Sequence, residues 1–144
     1  MVKIQIRYEG DLRCHATHGP SSVSLATDAP VDNQGRGESF SPTDLVATAL
    51  GTCMLTIMGI VARRHDWDLR GATVEVEKGM VATPVRRIGS LGVVIRVPAE
   101  LDPKAQAALE NAAYTCPVHK SLHPDIEIPV RFLFGAAARD ATAV

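Results

Sequence analysis

Aromatic side chains are scarce in this sequence: one tryptophan, two tyrosines and three phenylalanines among 144 residues. A chain so poor in planar side chains does not offer a base-stacking platform for single-stranded nucleic acid. A dominant charge is also missing, since 15 Lys+Arg stand against 16 Asp+Glu, for a formal net charge of −1, with no block of like sign. The electrostatic footprint of a protein that binds nucleic acid or an anionic membrane is therefore absent. Cysteines are few, odd in number and far apart (Cys14, Cys53 and Cys116), with no CxxC pair. This argues against a secreted disulfide framework or a zinc ribbon, and reduced thiols in the cytoplasm are the expectation. The first residues lack the apolar core of a signal peptide, because Val2 to Tyr8 alternates apolar and polar residues as a half-buried strand does.

What the chain does have is aliphatic residues and a clear order of local signals. Its length fits one domain, able to bury roughly 70% of the surface exposed on unfolding. Glu9-Gly10-Asp11 reads as a hairpin turn into a second strand over Leu12 to Thr17, and a third short strand spans Ser22 to Thr27 with Val23 and Leu25 on one face. The stretch from Asp28 to Phe40, rich in Asp, Pro, Asn and Gly, is a loop long enough to imply a functional role. Ser41-Pro42-Thr43-Asp44 then opens a helix, with Ser41 as N-cap, Pro42 at the first helical position and Asp44 able to reach back to the N-cap amide. This helix should run to about His65. Strands follow over Leu69 to Lys78 and Ile88 to Val97, then a helix from Asp102-Pro103 to Tyr114, a helical turn from Pro117 to Leu122 and a last strand over Ile126 to Phe134. The order predicts an α+β fold with a mainly antiparallel sheet, as a single domain over residues 1–135 with a loose Ala-rich tail over 136–144.

Leu45 to Ala62 is the one long run without a charge, and Arg63-Arg64 follows it. Three threonines and two glycines dilute its apolarity and its length is near the lower limit for a membrane span, so a buried soluble helix is the preferred reading. Its apolar positions cover more than one stripe of the helix, which therefore needs cover on most of its circumference. The short, Ala-rich C-terminal helices offer little of it. A second copy of the chain is the expected cover, which predicts an obligate homodimer.

The candidate reactive residues are thiols. Cys53 sits in the middle of the apolar helix, where a free cysteine can serve simply as a small hydrophobe and gains little from the helix dipole. Gly51 could admit a close neighbour beside it. Cys116 lies in Thr115-Cys116-Pro117-Val118-His119, where Pro117 bars Cys116 from helical geometry and starts a new turn. A thiol at such a break is expected to be more accessible than one in a helix body, and His119 could lie near it. Two such thiols could form a peroxide-reducing pair, one attacking the O–O bond and the other condensing with the sulfenic acid. They could equally contribute to a metal site with His119 or with Cys14-His15-x-x-His18. That spacing departs from ordinary zinc signatures, and Cys14 and His15 point to opposite faces of a strand, so no metal ion and no cofactor are expected.

The run Phe40-Ser41-Pro42-Thr43-Asp44-Leu45-Val46-Ala47-Thr48-Ala49-Leu50-Gly51-Thr52-Cys53, with Cys116-Pro117-Val118-His119-Lys120-Ser121-Leu122 further on, resembles the OsmC/Ohr family of osmotically induced and organic-hydroperoxide-resistance proteins. The resemblance implies a mainly antiparallel sheet around a long buried central helix and an intertwined homodimer. It also implies a thiol-dependent peroxidase in which Cys53 attacks an organic hydroperoxide, Cys116 resolves it as a disulfide, and a dithiol reductant reopens the bond. The family pairs an arginine from the N-terminal strands with an acid at the start of the central helix. By this resemblance Arg13 takes the arginine's role, with Arg36 as runner-up. Where the hydroperoxidases usually carry glutamate this chain has Thr43, and the acid moves to Asp44. That departure resembles the broader OsmC-like branch and bears on substrate and activity more than on fold. Cys14 has no counterpart in the two-cysteine scheme and reads as a packed strand residue or a rival resolving thiol. The apolar neighbours Leu50, Met54 and Ile57 favour an organic peroxide over hydrogen peroxide. The alternative is a non-enzymatic protein of the same fold that binds an apolar small molecule, with structural cysteines.

Overall fold

The computed structural model describes residues 1–141. The chain forms two compact units, residues 1–46 and residues 47 onward, each described by itself below.

In the first unit, strands β1 (Ile4–Gly10), β2 (Arg13–His18) and β3 (Ser24–Asp28) form an antiparallel sheet in that order. Each begins and ends one or two residues later than the alternation predicts. The register pairs Ile4 with His18, Ile6 with Ala16, Tyr8 with Cys14 and Ala16 with Leu25. Directly opposed residues share a face, so Ile4, Ile6, Tyr8, Cys14, Ala16 and Leu25 all lie on one side of the sheet. Half-burial was expected for this side, yet Ile4, Ile6 and Tyr8 are 63%, 65% and 63% exposed within the single chain. The connection from β3 contains one 3₁₀ turn at Val31–Asn33. Gly35 allows it to fold back tightly, because a Cβ there would fall on the Ala29 carbonyl.

Helix α1 (Pro42–Arg64) starts at the end of the first unit and continues into the second. Its start is a capping box: the Asp44 amide donates to Ser41 Oγ at 3.2 Å, and the Ser41 amide donates to Asp44 Oδ2 at 2.8 Å. Only one stripe is fully buried within the chain, formed by Ala47, Leu50, Gly51, Met54, Met58 and Ala62. Just 33% of its most apolar window is covered, although the helix is long and apolar enough by composition to cross a membrane.

The second unit adds β4 (Thr73–Val81), β5 (Arg87–Val97), α2 (Pro103–Tyr114), α3 (Pro117–Ser121), β6 (Val130–Phe134) and α4 (Ala136–Asp140). Its sheet runs β4-β5-β6, with β4 antiparallel and β6 parallel to β5. The strand content is thus divided between two three-stranded sheets, within the expected α+β class. A register shift at Gly79/Met80 lets β5 run past β4 by one residue, so Ile88 is buried and alternation resumes at Leu91, Val93, Ile95 and Val97. These residues form the core with Leu50, Met54, Met58 and Leu109. Gly51 brings α1 close to β4, since a Cβ there would stand 3.0 Å from Val76 Cγ2 and 3.2 Å from Val74 Cγ1.

Asp102 caps α2 through Oδ1, which accepts the Ala105 amide at 2.8 Å. After Gly135, where composition suggests a loose tail, residues 136–140 form α4. Ala138 is buried there and Arg139 donates to the Pro98 carbonyl at 2.6 Å. Residues 142–144 of that tail lie outside the described residues.

Candidate active site

Cys53 is half-buried on α1, one residue before the buried Met54. The polar neighbours on its helix are self-satisfied, with Thr52 Oγ1 donating to the Thr48 carbonyl at 2.7 Å and Thr56 Oγ1 to the Thr52 carbonyl at 2.8 Å. The chain leaves α2 through a tight turn in which the Thr115 amide reaches Ala112 O and the Cys116 amide reaches Ala113 O at 3.2 Å. Pro117 then forces Cys116 into extended geometry (φ −52°, ψ 125°), where its sulfur becomes the N-cap of α3 and accepts the His119 amide at 3.4 Å.

The structure brings Cys53 and Cys116 close enough for the Cys53 thiol to act on the titration of Cys116, and both are free cysteines. Their exposures are the reverse of the sequence expectation. Cys116 is fully buried, because the helix break turns its side chain inward to cap α3, whereas Cys53 retains exposure. Burial, first, and the neighbouring Cys53 thiol, second, push the Cys116 pKa up; the amides of His119 and Val118 oppose them. At neutral pH Cys116 is therefore a protonated thiol beside a more accessible one.

His119 adds a titratable group to this corner. Its ring meets Tyr114 edge-on at 5.9 Å, and Tyr114 in turn meets Phe132 at 6.0 Å. Burial and the charge of Lys120 hold its pKa below the ordinary 6.5, so the ring is neutral at pH 7.

The charged candidates belong to the first unit. Arg13 lies opposite Asp28 in the β2–β3 register, and its Nη2 is shared between Asp28 Oδ2, at 3.4 Å, and Glu38. Asp28, only 1% exposed, also accepts the Glu38 amide at 2.9 Å, and that bond heads the causes that hold its pKa below the usual carboxylate value. Asp28 and Glu38 are thus the partners of Arg13 that sequence reasoning missed; the β2–β3 register supplies the first and the loop returning after β3 the second. Arg36 is exposed and lies 4.0 Å from the exposed Asp11. Asp44 caps α1 as described, and Cys14 is a partly buried β2 residue opposite Tyr8 and Thr27. Among the described residues no group of three or more His, Cys, Asp or Glu is placed to hold a metal ion. A cavity of about 600 Å³ at the C-terminal end of α1 is lined by Arg63, Trp67 and Arg70 among others, none of them a candidate site residue of the sequence.

A family model described as OsmC-like protein matches residues 35–131, a span that holds both Cys53 and Cys116. The chain belongs to the OsmC-like family. No curated protein matches this OsmC-like sequence. Among solved structures, a Psychrobacter arcticus protein provisionally named an osmotic stress induced and detoxification response protein is 52% identical. The match covers 92% of this chain and 96% of that one, with a TM-score of 0.87. An organic hydroperoxide resistance protein from Legionella pneumophila shares the fold at 18% identity and TM-score 0.72, over 92% and 96% of the two chains. So does a Vibrio cholerae protein provisionally given the same function, solved with captopril in one of its active sites. It is 19% identical over 92% and 90% of the chains, with a TM-score of 0.73. The OsmC-like fold thus accounts for the long central helix and the α+β order.

Proposed function

We propose that this OsmC-like protein is a thiol-dependent peroxidase that reduces organic hydroperoxides, with Cys53 as the attacking thiol and Cys116 as the resolving one. The observation that carries this reading is the pairing of a partly exposed Cys53 with a buried, protonated Cys116 whose titration Cys53 influences. In the first step the Cys53 thiolate attacks the peroxide: an S–O bond forms, the O–O bond breaks, and an alcohol leaves once its oxygen is protonated. In the second, Cys116 attacks the sulfenic sulfur, giving a Cys53–Cys116 disulfide and water. A dithiol reductant, small or protein-borne, restores both thiols by exchange. No cofactor or metal enters these steps.

The preference for an organic peroxide draws support from Met54 and Ile57, apolar neighbours of Cys53, and from structural relatives named for organic hydroperoxide resistance. Arg13 is the proposed cation of the reaction, with Asp44 the acid at the helix start and Arg36 the lesser candidate; the Asp28 and Glu38 carboxylates fix the Arg13 guanidinium. The proposed working form is a cytoplasmic homodimer. The apolar face carrying Ile4, Ile6 and Tyr8 and the uncovered stripes of α1 both call for cover that one chain does not supply. Light scattering that reads a monomer at micromolar concentration would remove the dimer.

The test of the activity is steady-state hydroperoxide consumption with a dithiol, comparing wild type with Cys53→Ser. The variant is expected to lose turnover by several orders of magnitude. Equal rates would overturn the reading.

A further inference from the structure

The disulfide-forming step poses a problem of proton transfer. Cys116 must give up its thiol proton, yet burial and Cys53 both hold that proton on the sulfur. Hydroxide leaving the Cys53 sulfenic acid needs a proton at the same moment. Of the titratable groups on the elements that hold Cys116, His119 is the one at the third position of the same capped turn. Cys116 is the N-cap of α3 and His119 its third residue, the spacing of a capping box, in which the third side chain folds back toward the cap. In an ordinary capping box that side chain would take the N-cap amide, but the Cys116 amide is already bound to the Ala113 carbonyl. His119 Nδ1 is left buried with no hydrogen-bond partner, while the amide of the same residue donates to the Cys116 sulfur at 3.4 Å. A buried imidazole nitrogen without a partner costs stability, so its retention three residues from a reactive sulfur, on the same capped turn, asks for a use.

We infer that the His119 imidazole takes the thiol proton of Cys116 as that sulfur attacks the oxidised Cys53, and delivers it to the departing hydroxide. The balance is complete. The S–H bond of Cys116 and the S–O bond of Cys53 break, the S–S bond forms, and the proton leaves in water. This step rests on the two-cysteine reading and refines it. The titratable and charged groups around the ring are consistent with the role. Lys120 on α3 disfavours the imidazolium, Tyr114 at the end of α2 meets the ring edge-on, and the His119 amide donates to the Cys116 sulfur. The neutral ring is thus the form present at pH 7 and the form able to accept a proton.

The test is a rapid-mixing experiment on the full chain with one equivalent of cumene hydroperoxide, following disulfide formation and, in parallel, trapping of sulfenic acid by dimedone. In His119→Gln, disulfide formation is expected to slow by about 10²-fold or more, in the range typical of general acid–base catalysis. Dimedone adduct on Cys53 should accumulate as it does in Cys116→Ser. The residual rate in the variant should climb about tenfold per pH unit as Cys116 ionises, while the wild-type rate is level above the His119 pKa and falls below it. Imidazole added to His119→Ala should restore part of the rate, a rescue that a packing role would not give. The exposed His123, which accepts the Asp125 amide, supplies the control: His123→Gln should behave as wild type. Lys120→Met leaves the imidazole in place and should move the acid limb of the wild-type profile to higher pH.

Wild-type disulfide rates in His119→Gln would overturn the inference, as would an acid limb unmoved in Lys120→Met. Should Cys53 in Cys116→Ser form no dimedone adduct after peroxide, the peroxidase reading itself falls and takes this step with it. An adduct with undiminished disulfide formation in His119→Gln removes the histidine alone.

Discussion

Cys53 and Cys116 act on one another from unlike positions, one half-exposed on the long helix and the other fully buried as the N-cap of a five-residue helix. The asymmetry divides the labour. In the proposed reaction an incoming peroxide would reach the more accessible sulfur, and burial would protect the other from direct oxidation until its partner has reacted.

Cys116→Ser should therefore separate the two steps. The first equivalent of hydroperoxide is consumed at the wild-type rate, but the product is a sulfenic acid in place of a disulfide, detectable as a mass gain of one oxygen or as a dimedone adduct. Sustained turnover at low dithiol should be lost. Undiminished sustained turnover would show that another thiol resolves Cys53.

Asp28→Asn should alter the acid limb of stability. The folded-state pKa of Asp28 lies below its ordinary 3.8, through the Glu38 amide first and Arg13 next. A carboxylate whose pKa is lowered on folding contributes stability above the unfolded value, and that contribution is lost as pH falls through the folded one. The variant should melt at lower temperature than wild type at pH 7, with the gap closing as both are taken well below pH 3.8. A constant gap across that range would contradict the assignment.

Gly51→Val should test the approach of α1 to β4. Any added Cβ stands 3.0–3.3 Å from the methyls of Val74 and Val76, whose β-branched side chains are stiff. Overpacking of this kind costs about 1–3 kcal/mol, more than the fraction of a kcal/mol by which valine exceeds glycine in helix propensity. Urea denaturation should show the loss; an unchanged midpoint would mean that the two strand residues move aside freely.

The parts of the fold that local chemistry decides were legible in the sequence. Ser41 and Asp44 announce the start of α1, and Asp102 with Pro103 that of α2, because a cap and its amides are neighbours in the chain. Cys53 and Cys116 stood out through their settings and through a resemblance. What escaped was set by distant pairing. The burial of Cys116 depends on how α2 and α3 join. The partners of Arg13 depend on the β2–β3 register and on where the following loop returns, and the exposure of Ile4, Ile6 and Tyr8 depends on what covers a sheet whose alternation alone looked half-buried.

The most direct measurement is a free-thiol count with disulfide mapping before and after one equivalent of cumene hydroperoxide. The account predicts three free thiols before and one after, with Cys53 joined to Cys116 and Cys14 still reduced. Three free thiols after the challenge, or a disulfide that includes Cys14 in place of Cys116, would contradict it.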